Sequence, residues 1–123
     1  MKKISLRTPE GEERYRQQRE KRKGDDCPLC NDKETLQFFT YWRIVENSFP
    51  YDQFAEVHHM ILPLEHKGER DLTTPEKEEL LSLKETYIAE HYNFIMESTH
   101  LQKSIPQHFH LHLIIPKEPK ESV

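Results

Sequence analysis

Hydrophobic and polar residues along this chain follow two periods. Residues 35–45 (Thr-Leu-Gln-Phe-Phe-Thr-Tyr-Trp-Arg-Ile-Val) are rich in aromatic and β-branched side chains, which predicts one strand, or two with a bend. Residues 54–62 predict the next strand, interrupted by Glu56, His58 and His59, and residues 92–97 a short one. In the stretch His108-Phe109-His110-Leu111-His112-Leu113-Ile114-Ile115-Pro116, imidazoles alternate with apolar residues at strict period two. That alternation predicts a strand with one apolar face and one imidazole face. Residues 71–90 switch to helical spacing. Leu80, Leu83 and Tyr87, with Leu81 and Ile88 beside them, form an apolar stripe. Thr73 and Glu76 fit a capping box at its start, or Thr74 caps it with Pro75 at the first helical position.

The amino end has no such pattern. Residues 9–23 carry Tyr15 as their single large side chain and predict a charged helix or a disordered arm, ended by Gly24-Asp25-Asp26. A helix there is marginal alone and needs to dock on the domain. The charge is uneven: residues 1–23 hold nine Lys or Arg against four Glu, a balance of +5 in a chain of net charge −4, so the remainder carries −9. Such an arm suits nucleic acid or an acidic partner, but with Tyr15 alone beside the charge a solvated helix of mixed sign is favoured. At 34% hydrophobic and 33% charged residues, the chain predicts a modest core and frayed ends.

Its 123 residues make one domain, divided as a basic arm over 1–24, the domain proper over 25–116, and a Pro- and charge-rich tail over 117–123 expected to be disordered. The start, Met1-Lys2-Lys3-Ile4-Ser5, lacks the apolar region of a secretory signal, and no apolar run reaches bilayer length. A soluble, cytoplasmic protein without membrane association is expected.

Two patterns carry chemistry. Cys27-Pro28-Leu29-Cys30 reads as a redox dithiol, a disulfide or half of a metal site. No thioredoxin-like βαβ context lies near it, and with two cysteines in the chain a zinc site would need histidines from elsewhere. The second pattern is the imidazole strand. Same-face residues of a strand are about 6.6 Å apart, which separates His108 from His112 by roughly 13 Å. One zinc, with bonds of about 2 Å, does not span that, so the three histidines are expected to divide their roles. His59 and His100 are expected to be surface or satisfied histidines.

At residues 108–114 the chain resembles the histidine triad (HIT) family of nucleotidyl hydrolases and transferases, whose motif is His-φ-His-φ-His-φ-φ with φ apolar. The likeness extends over most of residues 27–116. His58-His59-Met60-Ile61-Leu62-Pro63-Leu64-Glu65-His66 follows the family's Gly-His-φ-φ-φ-x-Pro-x-x-His segment, with Val57 in place of the glycine and His58 as the motif histidine. The resemblance implies an α+β fold: an antiparallel sheet of about five strands, one long helix and a variable N-terminal segment, commonly as a homodimer. In the zinc-bearing branch it implies a structural zinc on Cys27, Cys30, His66 and His108. It implies His110 as a nucleophile forming a covalent nucleotidyl intermediate, with His112 and Ser104 on the phosphate or leaving group. Asn47, Phe49 and Asp52 would hold the base and ribose of a nucleotide, expected to be a purine.

The sequence departs from the family before the triad. Residues 99–107 contain no glycine, Ser104 stands four residues before His108 where the family serine stands three before, and Pro106 removes an amide donor. Ser104, Gln107 and Lys103 would then supply donors from side chains. The uridylyltransferase relatives carry Gln at the position of His112, which favours the hydrolase branch, acting on a phosphoramidate or a dinucleoside polyphosphate, whereas the missing Gly-Gln-Ser segment points towards divergent or phosphorylase-like members. A silent zinc-containing binding module and a nucleic-acid end deadenylylase using the basic arm are the alternatives.

Overall fold

The computed structural model describes residues 5–21, 27–30 and 34–118. Its frame is one antiparallel sheet of β1 (Thr35–Phe38), β2 (Trp42–Glu46), β3 (Ala55–Pro63), β4 (Phe94–Met96) and β5 (Leu111–Pro116), in spatial order β1-β2-β3-β5-β4. The helices are α1 (Pro9–Lys21), α2 (Thr74–Glu85) and α3 (Tyr87–His91), with a single 3₁₀ turn at Glu69–Asp71. This is the α+β architecture with five antiparallel strands that the sequence implies. Of the two expectations for residues 35–45, the pair of strands is the one formed, turning where Phe39 N–H donates to Trp42 O at 2.8 Å. No helix among the described residues is long and apolar enough to cross a membrane. The expected Gly24-Asp25-Asp26 stop and residues 119–123 of the expected disordered tail lie outside the described residues.

Period-two alternation sorts side chains onto two sheet faces. On one face Trp42, Ile44, Ile61, Leu111 and Leu113 bury against Leu72, Leu80, Leu83, Ile88 and Phe109. Each such side chain contributes roughly 1.5–3 kcal/mol by leaving water. On the other face Val45, Met60 and Leu62 meet Cys27, Leu29 and Ile105, and the same face buries His58 and His112. The first face carries the larger apolar cluster, and the second combines a smaller one with the buried imidazoles His58 and His112.

The helix face begins as the sequence predicts. Thr73 is the cap: its hydroxyl accepts from Glu76 N–H, and the Glu76 carboxylate accepts from Thr73 N–H at 2.7 Å. Trp42 Nε1–H donates to Glu76 O at 2.9 Å, fastening the first helical turn to the sheet. The single helix expected to about residue 90 is broken at Thr86 (φ −118°, ψ −93°), whose hydroxyl donates to Ser82 O at 2.8 Å. A β-branched hydroxyl residue that bonds back to the preceding turn bends a helix in this way. The bend swings Ile88 into the core, while Leu81, expected in the stripe, is 60% exposed.

The triad strand is shorter than expected. Paired strand starts at Leu111, and His108–His110 precede it, anchored by Phe109 N–H donating to Lys67 O at 2.8 Å. Alternation of sides nevertheless persists: Phe109 enters the helix-face core while His108 is buried away from it.

Candidate active site and metal cluster

Two clusters of polar side chains share the second sheet face. In the first, one ligand atom from each of Cys27, Cys30, His66 and His108 lies within 4.8 Å of every other. Cys30 Sγ is 3.0 Å from His66 Nδ1 and 3.4 Å from His108 Nδ1, and Cys27 Sγ is 3.7 Å from His108 Nδ1. Tetrahedral zinc with bonds of about 2.0–2.3 Å puts its donors roughly 3.3–3.8 Å apart, so these four residues could hold a metal. His108 Nε2–H donates to Pro63 O at 3.3 Å. That bond leaves Nδ1 bare and aimed at the sulfurs, the tautomer a ligand requires. Burial and the neighbouring Cys27 push the Cys30 thiol up, and a dication reverses that by favouring the thiolate.

The second cluster is a chain of imidazoles. Tyr51 N–H donates to His58 Nδ1 at 2.9 Å. A backbone amide gives its hydrogen in one direction only, so His58 carries its own proton on Nε2 and donates to His112 Nδ1 at 2.7 Å. His112 is then protonated on Nε2, which lies 3.3 Å from Tyr51 Oη. Burial first, then the nearby His110, His58, Arg7 and Lys103, pushes His112 down to about 2. His112 is thus a neutral N–H donor at any physiological pH. His110 has the opposite tautomer: its Nδ1–H donates to His108 O at 3.0 Å, leaving Nε2 with a lone pair. Burial holds His110 below the usual imidazole range, opposed by that bond and reinforced by Lys103.

His110 and His112 sit where two lobes of a cleft meet. One lobe, of about 410 Å³, is lined by Glu12, Glu97, Ser98, Thr99, Gln102 and Lys103. The other, of about 440 Å³, has an apolar wall of Pro28, Leu29, Phe49, Met60 and Ile105 beside Asn47 and Ser48. Arg7, Tyr15, Arg19, Tyr51 and Ser104 border both lobes.

Three of these shared residues come from the N-terminal segment, which docks through Asp52. Thr8, preceding Pro9 at the first helical position, gives its N–H to Asp52 Oδ1 at 2.6 Å and its hydroxyl to Oδ2 at 3.0 Å. The Thr8 hydroxyl in turn accepts Gly11 N–H at 3.1 Å. A Cβ on Gly11 would lie 2.8 Å from Asp52 Oδ2, so only glycine admits the carboxylate this close. The amide and hydroxyl of Thr8 hold Asp52 below the usual carboxylate range. Tyr15 packs edge-on against Phe49, centroids 5.6 Å apart.

The expected site residues separate accordingly. Cys27, Cys30, His66 and His108 converge in one cluster, and His110, His112, Ser104, Asn47 and Phe49 line the cleft. Asp52, expected at the ribose, instead has both oxygens on Thr8 and lines neither lobe, and Gln107 is exposed and lines neither. His59 is a satisfied histidine, its Nδ1 2.7 Å from Tyr92 Oη, and His100 is exposed. Sequence reading gave no chemical role to His58, Tyr51 or Arg7. His58 was visible as the motif histidine, whereas the other two become legible only when the loop over 47–54 and α1 are in place.

No family model matches the chain, and no curated protein does. Solved structures do match. An HIT family hydrolase from Clostridium thermocellum superposes with a TM-score of 0.52 at 17% identity, covering 80% of this chain and 98% of that one. A histidine triad protein from Clostridium difficile superposes with a TM-score of 0.53 at 13% identity, covering 83% and 99%. The fold is therefore that of histidine triad proteins.

Proposed function

We propose that this chain is a nucleotidyl hydrolase that works through a covalent intermediate on His110 Nε2. The observation that carries the reading is the pair of opposite tautomers at the junction of the lobes: a bare nitrogen on His110 beside a neutral donor on His112. The base and ribose of a nucleotide occupy the lobe walled by Leu29, Phe49, Met60 and Ile105, with Asn47 at its polar edge. A purine suits the apolar wall. The leaving group occupies the lobe lined by Ser98, Thr99, Gln102 and Lys103.

His110 Nε2 attacks the α-phosphorus. The N–P bond forms as the bond to the leaving group breaks, and the electron pair departs with that group. A phosphate leaves as an anion, and an amine takes its proton from water in the open cleft. Water then attacks phosphorus, loses a proton to solvent, and returns the N–P pair to His110. Two displacements replace one difficult step. The His112 Nε2–H and the Ser104 hydroxyl donate to the phosphoryl oxygens as charge develops there. The imidazole chain does not deliver a net proton, because the Tyr51 amide at its end cannot relinquish one; it holds His112 in the donor form.

The metal cluster fits a structural zinc with all four positions taken by protein, tying residues 27–30 to the start of the triad segment. When bound, that zinc supplies no chemistry to the reaction. One observation favours a second reading, in which the substrate is an adenylylated nucleic-acid end: Arg7, Arg19 and Lys21 border the nucleoside lobe, and among the described residues no carboxylate lines it. Incubation with an adenosine phosphoramidate and with a dinucleoside polyphosphate tests the main reading. Release of AMP by the protein, abolished in His110→Ala, is expected. A silent binding module releases none. Salt-dependent binding to an adenylylated DNA end, absent for free nucleotides, marks the second reading.

A further inference from the structure

We infer that Arg7, carried by the N-terminal segment, is the cationic ligand for the substrate's phosphoryl group, in place of the glycine-rich loop this chain lacks. The inference rests on the nucleotide reading and identifies which residue of this chain holds the charge. The segment before the triad offers little for an anion. Residues 99–107 contain no glycine and include Pro106, so close backbone approach and one amide are lost. Lys103 is nearby, but its ammonium is 2.7 Å from Glu97.

Arg7 is placed differently. Its side chain is 13% exposed, and it borders both lobes where they meet at His110 and His112. Nε–H donates to Phe49 O at 2.7 Å, which fixes the plane of the guanidinium. The group lies 4.0 Å from the centroid of Tyr15 and 5.2 Å from that of Tyr51, so both rings hold it by cation–π attraction. Tyr51 is also the residue whose hydroxyl touches His112 and whose amide orders His58. Of the other two nitrogens, Nη1 meets Glu12 only at 3.5 Å, and Nη2 has no acceptor among the described residues. A planar, preorganised fork with donors to spare is the form in which arginine binds phosphate. The Asp52–Thr8 clamp and the glycine at position 11 hold the segment in reach. The Asp52 carboxylate, which binds the residue just before α1, is accordingly a phosphate-site element at one remove.

The test is calorimetric titration of the full-length, zinc-supplemented protein with AMP and, separately, with adenosine, for the wild type, Arg7→Met and Arg7→Lys. Methionine keeps an unbranched stem against Tyr15 and removes the charge, so the fold is retained. Arg7→Met should weaken AMP by about ten- to a hundredfold, the range for loss of a charged hydrogen bond, and leave adenosine within about twofold. Arg7→Lys should recover part of the AMP affinity as a point charge. The inference is overturned if AMP and adenosine affinities fall together, if neither changes, or if the wild type binds AMP no better than adenosine. Mapping of a His110 adduct on the same wild-type protein separates the two ideas. An adduct with an unaffected Arg7→Met overturns only the role of Arg7. AMP-selective loss without an adduct upholds that role and counts against the covalent mechanism.

Discussion

His108 and His110 are two residues apart, yet the molecule treats their rings in opposite ways. His108 gives its Nε2–H to Pro63 O and turns Nδ1 toward two sulfurs. His110 gives its Nδ1–H to His108 O, and its free nitrogen is Nε2. One region gathers four ligand atoms into a closed cluster, and the other leaves a bare imidazole nitrogen and a neutral donor at the meeting of two lobes. The difference lies not in the side chain but in which backbone carbonyl takes the second ring nitrogen. One short stretch can therefore serve structure at one end and chemistry at the other.

The largest separation of the two regions should come from His110→Ala. Turnover of an adenosine phosphoramidate should fall by roughly a thousandfold or more, as for loss of a nucleophile, while bound zinc, read by elemental analysis, stays at the wild-type level. Loss of zinc in that variant would mean the two regions are not independent. Cys27→Ser should give the converse: zinc content falls, and Tm falls by about 10 °C for a loss near 2 kcal/mol. Chelation of the wild type should lower Tm similarly and leave the variant nearly unchanged.

Acid should distinguish the regions by a smaller effect. His112 is held neutral in the folded chain down to about 2 but takes a proton near 6.5 when unfolded. Below about 6.5 the unfolded state binds the extra proton, so stability is full above that pH and declines as pH falls toward 2. For one group the slope approaches about 1.4 kcal/mol per pH unit. Urea titrations at pH 7.5 and pH 5 should show this decline, and His112→Asn should make it shallower. The smallest effect belongs to a site remote from both regions. Thr73→Ala should cost about 1 kcal/mol through loss of its cap, with zinc content and relative turnover unchanged.

Features governed by neighbours in sequence were legible before folding: the alternation that sends Phe109, Leu111 and Leu113 to the helix face and buries His108 and His112 away from it, and the Thr73–Glu76 box. The grouping of Cys27 and Cys30 with His66 and His108 came from the family resemblance alone. Features set by distant partners were not legible. Asp52 looks like a ribose ligand until Thr8, 44 positions away, is seen to occupy it. The basic arm looks solvated until Arg7 and Tyr15 are seen against Phe49 and Tyr51. Periodicity did not foretell the start of pairing at Leu111, because Phe109 is anchored on Lys67 O, 42 positions away. The bend at Thr86 is local, a hydroxyl bonded back to Ser82 O, and apolar spacing does not register it.

The most direct measurement is peptide mapping by mass spectrometry after rapid, acid-free quenching of the protein with an adenosine phosphoramidate. The account predicts an adenylyl group on the peptide containing His110, absent in His110→Ala and present in Thr73→Ala. Turnover with the adduct on another residue, or turnover that survives in His110→Ala, would contradict it.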